Sequence, residues 1–465
     1  MKRKEAPTSA KSPPKRARAE VPEYHLAPSV KDEDGSIQWP APKAQMERAR
    51  EIIVHAAKQK KTLIVPDKDA DGLSAGAILR HTLILLGLPP ELIAVHLLSK
   101  GNTVHSEEER QKMAEHNPSF VFVIDHGSRA APPVIDADHT ALVIDHHFAT
   151  DADFPKDSHH VSACHSPPVA TSALLTYDLC EPLHPGVYDR CAWLAIVGTY
   201  GDLGSTIKWE PPFPDMREAL KKHTKKKLSD VVSVLNAPRR TATYDVRSAW
   251  DALCDTSEPA PILKNPRLEA ARKEVSAEVE RCTHTAPKFS PDGKVAVFRI
   301  RSEAQVHPVI ATRWAGHLNS KKLEIVLVAN EGYLPGKVNF SCRIPRSARG
   351  REPPISIIER LRYYASLSEP QKTDNDGVQT AKEDARPLLE RLGENFARGH
   401  VQASGGIVNA EEFDELMRLM EIGVKSPKDE NQEQSPAKKK MKASIDPGQK
   451  NTLMGYFGKT SKAGS

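Results

Sequence analysis

Carboxylates and imidazoles recur at short spacing in the first half of the sequence. The clusters are Asp67-Lys68-Asp69-Ala70-Asp71-Gly72, Asp125-His126-Gly127, Asp145-His146-His147 and Gly198-Thr199-Tyr200-Gly201-Asp202. Neighbouring carboxylates repel one another unless a cation binds between them. Oxygen and imidazole donors suit Mn²⁺ or Mg²⁺, and the histidines favour Mn²⁺. The carboxylates suffice for two ions that share one bridging group, so the sequence predicts a two-metal site.

Each cluster taken alone has a simpler explanation. An Asp at a strand end is usually a helix cap or a turn residue, and a lone Asp-His-His is usually a polar loop. The first cluster resembles the start of a calcium loop, but the later bidentate Glu is missing and an apolar helix follows Gly72. Four clusters on successive elements favour a shared ligand over four structural roles.

The elements around these clusters predict an α/β layer. The predicted strands are 62–66, 92–98, 120–124 and 141–144, and the predicted helices are 43–60, 73–86, 105–115, 168–180 and 186–200. Strands that are apolar on both sides and alternate with helices indicate a parallel sheet. Ligands bind at the carboxyl ends of such strands, and the acidic clusters lie at those ends. Residues 203–265 contain several prolines and give no clear pattern.

A second α/β domain is predicted after a charged helix at 266–284. Its predicted strands are 294–301, 323–329 and 337–344, and its predicted helices are 306–318, 355–366, 380–397 and 410–422. The predicted organisation is a tail at 1–42, a catalytic domain at 43–235, a connector at 236–290, a smaller α/β domain at 291–425 and a tail at 426–465.

The positive charge is concentrated at the two ends of the chain. The 465 residues carry 66 Lys+Arg and 61 Asp+Glu, a net charge of +5. Both ends are basic and poor in apolar residues, which predicts disorder, so a polyanion would have to bind the folded part at a local site. No long apolar run is present, and we expect no membrane span. Six scattered cysteines indicate neither a disulfide framework nor a zinc site.

The order of the four acidic clusters resembles the DHH phosphoesterase superfamily. The segment Arg398-Gly399-His400-Val401-Gln402-Ala403-Ser404-Gly405 resembles the G-G-H-x-x-A-x-G signature of its DHHA1 domain, and Ser341-Cys342-Arg343 resembles the Ser-x-Arg strand of that domain. The pairing is similar to RecJ-type single-strand exonucleases and to the branch of oligoribonucleases and nucleotide phosphatases. The resemblance covers about residues 45–410 and implies a parallel-sheet DHH domain, a helical connector and a smaller α/β DHHA1 domain.

The resemblance also implies roles for individual residues. The implied metal ligands are Asp67, Asp69, Asp71, Asp125, His146 and Asp202. Asp69 would bind the first ion, and Asp125 would bridge both ions. The second ion would be bound by Asp71, His146 and Asp202. The implied catalytic residues are Asp125, Asp145, His146 and His147. Of these, Asp145 would orient the histidines, and His147 would face the scissile phosphate. Two cations would activate a water and offset the charge of the transition state.

The implied substrate contacts are Arg343, Arg398, Gly399 and His400. Arg398 replaces the first glycine of the signature, which normally allows the backbone to approach the substrate closely. An arginine there can still contact a phosphate, and its effect on substrate choice stays open.

Three functions remain open. The first is an exonuclease on single-stranded DNA or RNA. The second is an oligoribonuclease or nucleotide phosphatase on short substrates, because residues 426–465 are too short and polar for the OB-fold of larger RecJ enzymes. The third is a non-catalytic replication scaffold, which the complete set of carboxylates and histidines argues against. The direction of digestion is not predicted.

The tails predict a location and two partners. The clusters Lys2-Arg3-Lys4 and Lys15-Arg16-Ala17-Arg18 resemble a bipartite nuclear import signal, which a nuclear import carrier would bind. Leu453, Tyr456 and Phe457 resemble a sliding-clamp-binding box, although Lys450 replaces its usual Gln. The alternative to the import signal is a solvated basic tail. The alternative to the clamp-binding box is a disordered tail with an aromatic pair. Together the two motifs predict a nuclear protein of DNA replication or repair.

Overall fold

A computed structural model of the protein describes residues 28–31, 35–367, 386–393, 396–400 and 403–424. The helices are α1 Lys43–Ala56, α2 Ala70–Leu85, α3 Glu107–Glu115, α4 Ser172–Cys180, α5 Val187–Leu203, α6 Arg217–His223, α7 Lys225–Leu235, α8 Val246–Cys254, α9 Pro259–Leu263, α10 Pro266–Thr283, α11 His307–His317, α12 Ile357–Ala365, α13 Leu388–Arg391 and α14 Ala410–Leu419. The strands are β1 Thr62–Pro66, β2 Ile93–Val95, β3 Phe120–Ile124, β4 Thr140–Asp145, β5 Ser158–Ser162, β6 Lys288–Phe289, β7 Val295–Ile300, β8 Ile325–Leu334, β9 Lys337–Arg343, β10 Arg398–His400 and β11 Ala403–Asn409. Among the helices of these ranges, none combines the length and the apolar character that crossing a membrane requires.

The first lobe is built on a parallel sheet with strand order β2-β1-β3-β4-β5. β1 and β3 are buried along their whole length, because a layer of helices covers one face of the sheet, and α3 with the neighbouring loops covers the other. Pro66 pairs with Ile124, and Ile124 pairs with Ile144. The carboxyl ends of β1, β3 and β4 therefore stand level at one edge, and the predicted parallel sheet is confirmed.

Two strands of this sheet differ from the prediction. β2 is limited to three residues, because a 3₁₀ turn at Pro90–Leu92 precedes it and irregular backbone follows it. β5 was not predicted, since its sequence Ser-His-His-Val-Ser lacks the apolar run that marks a buried strand. It lies at the edge of the sheet and pairs only with β4 among the described strands.

The stretch without a clear sequence pattern folds into α6, α7, α8 and α9. Trp250 and Leu253 of α8 and Ile262 of α9 are buried in the core of the first lobe. The first lobe therefore extends past the predicted boundary at residue 235. α10 joins the two lobes, since Leu268 near its start packs in the first core and Val279 near its end packs in the second.

The second lobe is built on a mixed sheet with strand order β10-β11-β9-β8-β7-β6, in which β7 and β8 are parallel and the other pairs are antiparallel. α11 packs on one face, and α12, α13 and α14 pack on the other. The helix expected over 380–397 is wrong in its described part, where only Leu388–Arg391 is helical. Gly393 ends this segment with a φ of 70°, a left-handed conformation that terminates helices.

The two lobes contact each other directly through the loop that follows β2. Glu109 of α3 is buried and fixes this loop by accepting hydrogen bonds from His96 Nε2 and Asn102 Nδ2, both at 2.7 Å. Within the loop, Lys100 Nζ donates to the carbonyl oxygen of Glu303 in the second lobe at 2.9 Å. The ammonium of Lys100 also stands 4.2 Å from the ring centre of Tyr333 on β8. The loop therefore holds the second lobe against the first.

Candidate metal centre

The segment between β1 and α2 presents its carboxylates through a tight turn. Asp67 continues the sheet by donating its backbone N–H to the carbonyl oxygen of Ile124 at 2.9 Å. Asp69 caps α2 and accepts from the N–H groups of Asp71 and Gly72 at 3.1 and 3.3 Å. A Cβ on Gly72 would stand 2.8 Å from the backbone N and O of Asp67. Glycine is therefore required for this turn.

Asp71 is buried at the point where α2 meets α4. Its two carboxylate oxygens accept from the backbone N–H groups of Ser172 and Ala173, at 2.8 and 3.0 Å. The first N–H groups of a helix lack partners within the helix and favour negative charge. The N-terminus of α4 therefore fixes the orientation of the Asp71 carboxylate.

Asp125 follows β3 in a left-handed backbone conformation, with a φ of 66°. This conformation is uncommon for a residue other than glycine. Its carboxylate accepts a hydrogen bond from Ser172 Oγ at 2.8 Å. Ser172 thus contacts Asp71 and Asp125 at once and sets their spacing.

His146 faces carboxylates from two different elements. Its Nε2 lies 3.3 Å from Asp125 Oδ1 and 3.3 Å from Asp202 Oδ2, which belongs to the last turn of α5. This nitrogen is buried and has no partner in hydrogen-bonding geometry among the described residues. An imidazole nitrogen turned towards two carboxylates at this distance is an arrangement that suits ligands around a common cation.

Asp145 holds the histidine segment in place. Its Oδ1 accepts from the backbone N–H of His146 at 2.8 Å and from Nδ1 of His147 at 2.8 Å, and its Oδ2 accepts from Ser128 Oγ at 2.6 Å. A carboxylate bonded to one ring nitrogen fixes the tautomer and orientation of a histidine. The side chain of His147 is 58% exposed, so its Nε2 is left for a ligand on the open side.

The structure brings all the predicted metal ligands together. Three groups of side chains each offer ligand atoms within 4.8 Å of one another, namely Asp67, Asp69 and Asp125, then Asp71, His146 and Asp202, and then Asp125, His146 and His147. Asp125 and His146 each belong to two groups. A carboxylate shared by neighbouring groups is suited to bridge two ions, and the oxygen-rich donor set fits Mn²⁺ or Mg²⁺.

The electrostatics of the cluster also favour a cation. Burial and the neighbouring carboxylates together raise the pKa of Asp125 to about 7 and that of Asp71 well above its ordinary value, although His146 lowers both. Burial alone would lower the pKa of His146, but the nearby carboxylates of Asp125 and Asp202 raise it well above the ordinary value. Without a metal the cluster therefore holds protons, which a divalent cation would displace.

Three residues near the centre were missed by sequence analysis. Ser172 is one, and the others follow α7. Asn236 Oδ1 accepts from the backbone N–H of Ala70 at 3.2 Å and from Arg239 Nε at 3.0 Å. Arg239 Nη2 in turn lies 3.8 Å from Asp69 Oδ2. No local pattern in the sequence singles out these residues, because their contacts join segments far apart in the chain.

The predicted substrate residues lie in the second lobe. Arg343 Nη1 donates to the carbonyl oxygen of Cys342 at 2.8 Å. Arg343 on β9 pairs with Ala403 on β11, which pairs with His400 on β10. The backbone thus places the predicted segment from Arg398 to His400 in the same sheet as Arg343, two strands away.

Arg343 and Arg240, which come from different lobes, both lie near His307. Burial, together with the positive charges of Arg343 and Arg240, lowers the pKa of His307, at the start of α11, to about 3. His307 Nδ1 is buried and has no hydrogen-bond partner among the described residues. Arg240 follows Arg239 in the chain, and both come from the first lobe. Arg239 and Arg240 of the first lobe therefore provide positive charge beside Asp69, and Arg343 of the second lobe provides positive charge near His307.

Other predicted residues cannot be placed. The import-signal residues Lys2, Arg3, Lys4, Lys15, Arg16 and Arg18 and the clamp-box residues Leu453, Tyr456 and Phe457 lie outside the described residues. Their roles stay predictions.

Comparison with known families identifies the first lobe. Residues 61–199 match the family model described as "DHH family, N-terminal domain". This range contains all the predicted metal ligands except Asp202. The chain therefore carries a DHH-family domain, as the order of its motifs predicts. Sequence comparison with curated proteins finds no significant match.

Solved structures share the fold of both lobes. RecJ from Thermus thermophilus in complex with Mn²⁺ superposes with a TM-score of 0.55 at 17% identity, over 83% of this chain and 55% of that chain. Exonuclease RecJ bound to manganese superposes with a TM-score of 0.53 at 18% identity, over 81% of this chain and 93% of that one. The DHH domain of a protein assigned to a family of ribosomal proteins gives 0.56 at 16% identity, over 82% and 90%. This chain thus spans about half the length of the Thermus enzyme.

At these identities the structural likeness establishes the fold. Together, the RecJ-like fold, the DHH-family match and the acidic cluster support the predicted class of protein, a metal-dependent phosphoesterase.

Proposed function

We propose that this protein is a phosphodiesterase that binds two divalent cations, Mn²⁺ or Mg²⁺, and hydrolyses single-stranded nucleic acid as a RecJ-like exonuclease. The observation that carries the proposal is the convergence of three ligand groups, in which Asp125 and His146 each belong to two. The group of Asp67, Asp69 and Asp125 and the group of Asp71, His146 and Asp202 would each hold one ion. Two such ions supply charge that activates a water and stabilises the transition state of phosphoryl transfer.

The residues of the chain then have separate tasks. Asp125 belongs to the first of these groups and lies 3.3 Å from His146 of the second, so it would set the separation of the ions. Asp145 orients His147, and its charge outweighs the effect of burial and raises the pKa of His147 to about 9. With Nδ1 bonded to Asp145, His147 can donate from Nε2 to a phosphate oxygen when the imidazole is protonated. Arg240 and Arg343 provide positive charge for the phosphates of the strand.

The proposal is tested by one set of assays on the purified protein. Mn²⁺ is supplied with single strands labelled at the 5′ or the 3′ end, with dinucleotides and with a nucleoside 3′,5′-bisphosphate. We expect shortening of the single strands. Cleavage of dinucleotides or the bisphosphate alone would favour the second candidate, a trimming enzyme or phosphatase for short substrates. Absence of any product would favour a non-catalytic scaffold.

A pair of variants assigns the activity to the metal centre. Asp125→Ala removes the shared carboxylate and should abolish Mn²⁺-dependent hydrolysis in a protein that still folds. Asp138→Ala removes an exposed carboxylate in the loop before β4 and should behave like the wild type. An active Asp125→Ala protein would contradict the bridging role.

We further propose that the protein acts in the nucleus, in DNA replication or repair, with a nuclear import carrier and a sliding clamp as partners. The support is the two basic clusters at residues 2–4 and 15–18 and the apolar triplet in the otherwise polar final segment. Deletion of residues 449–465 should reduce capture of the clamp and leave hydrolysis unchanged. Equal capture with and without these residues would discard the clamp motif.

A further inference from the structure

Phe148 presents an aromatic ring to solvent beside the metal centre. At 80% exposure it is the most exposed large apolar side chain of the described residues. It follows Asp145-His146-His147 directly in the sequence. Water disfavours such a surface, and exposed apolar groups beside a functional site often bind its ligand.

The backbone that carries this ring is held firmly. Ala149 is buried, and its carbonyl oxygen lies 2.7 Å from His165 Nε2. Asp153 Oδ2 accepts from the N–H and the hydroxyl of Thr150, at 2.8 and 2.7 Å. The ring of His165 meets that of Phe148 at 5.6 Å between centres and 76° between planes. A perpendicular contact of this kind orients the Phe148 ring and leaves it largely uncovered.

Phe148 directly follows the histidine that would face the scissile phosphate. Phe148 is the next residue after His147 in the segment that follows the carboxyl end of β4. Both are exposed. A phosphate at His147 would bring an adjoining base to the level of the Phe148 ring.

We propose that the ring of Phe148 stacks on a nucleobase next to the scissile phosphate of a single-stranded substrate. Base–aromatic stacking accepts any sequence, because every base has a π-face. The inference rests on the proposed function. It adds a contact for the base of the substrate, which the metal centre does not bind.

The surroundings of Phe148 favour a base over a protein partner. The nearby exposed side chains at Thr150 and Asp151 are polar, and Ala149 is buried. A single ring among polar groups offers far less apolar surface than a stable protein interface needs. It matches the size of one base.

The stacking is measured with a single strand that carries 2-aminopurine at one of the first three positions from an end. The fluorescence of this base falls when it stacks on a ring. The full-length protein with Mn²⁺ is mixed with the strand in a stopped-flow instrument, and the fluorescence is recorded before products form. We expect a rapid fall for the wild type, and Phe148→Trp should retain it.

Two variants remove the ring in different ways. Phe148→Ala deletes the side chain, and Phe148→Leu keeps an apolar side chain without a π-face. Both should lose the rapid fall and bind the strand roughly 5- to 100-fold more weakly. An abasic site at the stacked position should weaken wild-type binding similarly and should have no further effect on Phe148→Ala. Tyr363→Ala is the matched control, because Tyr363 is 56% exposed on α12 of the second lobe; it should behave like the wild type.

The outcomes separate this inference from the proposed function. A wild type that hydrolyses the strand while Phe148→Ala and Phe148→Leu retain the fluorescence change would overturn the stacking and leave the exonuclease proposal standing. A Phe148→Leu protein that binds as tightly as the wild type would show a generic apolar contact and also overturn the stacking. A wild type that neither binds nor cleaves any strand would overturn both. Since Phe148 is exposed, both variants should fold, and circular dichroism checks this.

Discussion

The backbone of Gly198 lies against the carboxylate of Asp71. A Cβ on Gly198 would stand 2.7 Å from Asp71 Oδ1 and would overlap the Cβ of Ala173. Asp71 belongs to α2, Ala173 to α4 and Gly198 to α5, so the three helices meet at this one point. The absence of a side chain at position 198 lets them close around a metal ligand.

We therefore expect Gly198→Ala to damage both stability and metal binding. Adding a methyl group to this packed contact should cost about 1–3 kcal/mol, because either α5 or the Asp71 carboxylate must move. The variant should unfold at a lower temperature than the wild type, and Mn²⁺ should stabilise it less. Thermal unfolding with and without Mn²⁺ measures both effects.

Gly316→Ala provides the control for this substitution. Gly316 lies in α11, and a Cβ there would meet nothing within 4 Å. Alanine in a helix interior is favoured over glycine by about 0.5–1 kcal/mol, so this variant should be at least as stable as the wild type. A Gly198→Ala protein with wild-type stability and Mn²⁺ response would contradict the role of the contact.

Metal binding should strengthen as the pH rises. The pKa of Asp125 is raised to about 7 in the folded protein without metal. A carboxyl group with a raised pKa contributes stability at low pH and loses that contribution as the pH rises through its folded-state pKa. The metal-free protein therefore loses stability from this group between about pH 4 and pH 7, and Mn²⁺ relieves the repulsion that causes the loss.

The measurement is the rise in unfolding temperature on adding Mn²⁺, which should be larger at about pH 8 than at about pH 5.5. At the lower pH, protons on Asp125 compete with the ion. Asp125→Asn cannot ionise at this position, so its response to Mn²⁺ should be smaller and should depend less on pH. An equal wild-type response at both pH values would argue against carboxylate ligation of the ion.

Asp145→Asn should alter the pH dependence of hydrolysis more than it alters metal binding. Asp145 belongs to none of the ligand groups, but its charge is what raises the pKa of His147 to about 9 against the effect of burial. Without this charge the pKa of His147 should fall, so the imidazole loses its proton at lower pH. The high-pH limb of the profile of kcat/KM should shift to lower pH.

Ser128→Ala is the milder companion variant, because it removes a donor to Asp145 at 2.6 Å and keeps the carboxylate. It should shift the high-pH limb less than Asp145→Asn does. An unchanged pH profile in Asp145→Asn would mean that the protonation of His147 does not affect the rate.

Much of the acidic cluster was predictable because Asp67, Asp69, Asp125 and His146 follow the ends of strands. Pro66, Ile124 and Ile144 end buried parallel strands in register, so residues just after them meet at one edge of the sheet. The acidic clusters in the sequence therefore indicate this arrangement without further information. Asn236 and Arg239 reach the same place through α7, and the bond from Ala70 to Asn236 joins positions 166 residues apart. Nothing in the local sequence encodes such a contact.

The errors in predicting the fold have similar causes. β5 lacks an apolar run because it is an edge strand, and the side chains of its first three residues are partly exposed. α8 is amphipathic, with Trp250 and Leu253 buried, but it is short and follows a stretch broken by prolines. Its place in the first core became evident only from its packing against α2.

The contact of Lys100 with the second lobe should matter for both stability and substrate binding. Its ammonium donates to the carbonyl oxygens of Glu303 and Ala242, at 2.9 and 3.4 Å, and stands over the ring of Tyr333. Lys100→Met keeps an apolar stem and removes the charge, so the free energy of unfolding should fall by about 1–2 kcal/mol. The second lobe, which carries Arg343, would then be held less firmly against the first, and KM for a single strand should rise.

Hydrogen exchange distinguishes this interlobe effect from a general loss of stability. In Lys100→Met, exchange should accelerate in the loop at residues 99–105 and at the end of β8 near Tyr333, while the centre of the parallel sheet should keep its protection. Lys208→Met is the control, because Lys208 and Glu210 form an exposed pair with 3.7 Å between their charged atoms, and such pairs contribute little. If exchange near Tyr333 stays unchanged in Lys100→Met, then the lobes are held together mainly by α10 and the apolar contact of Leu334 with Gly101.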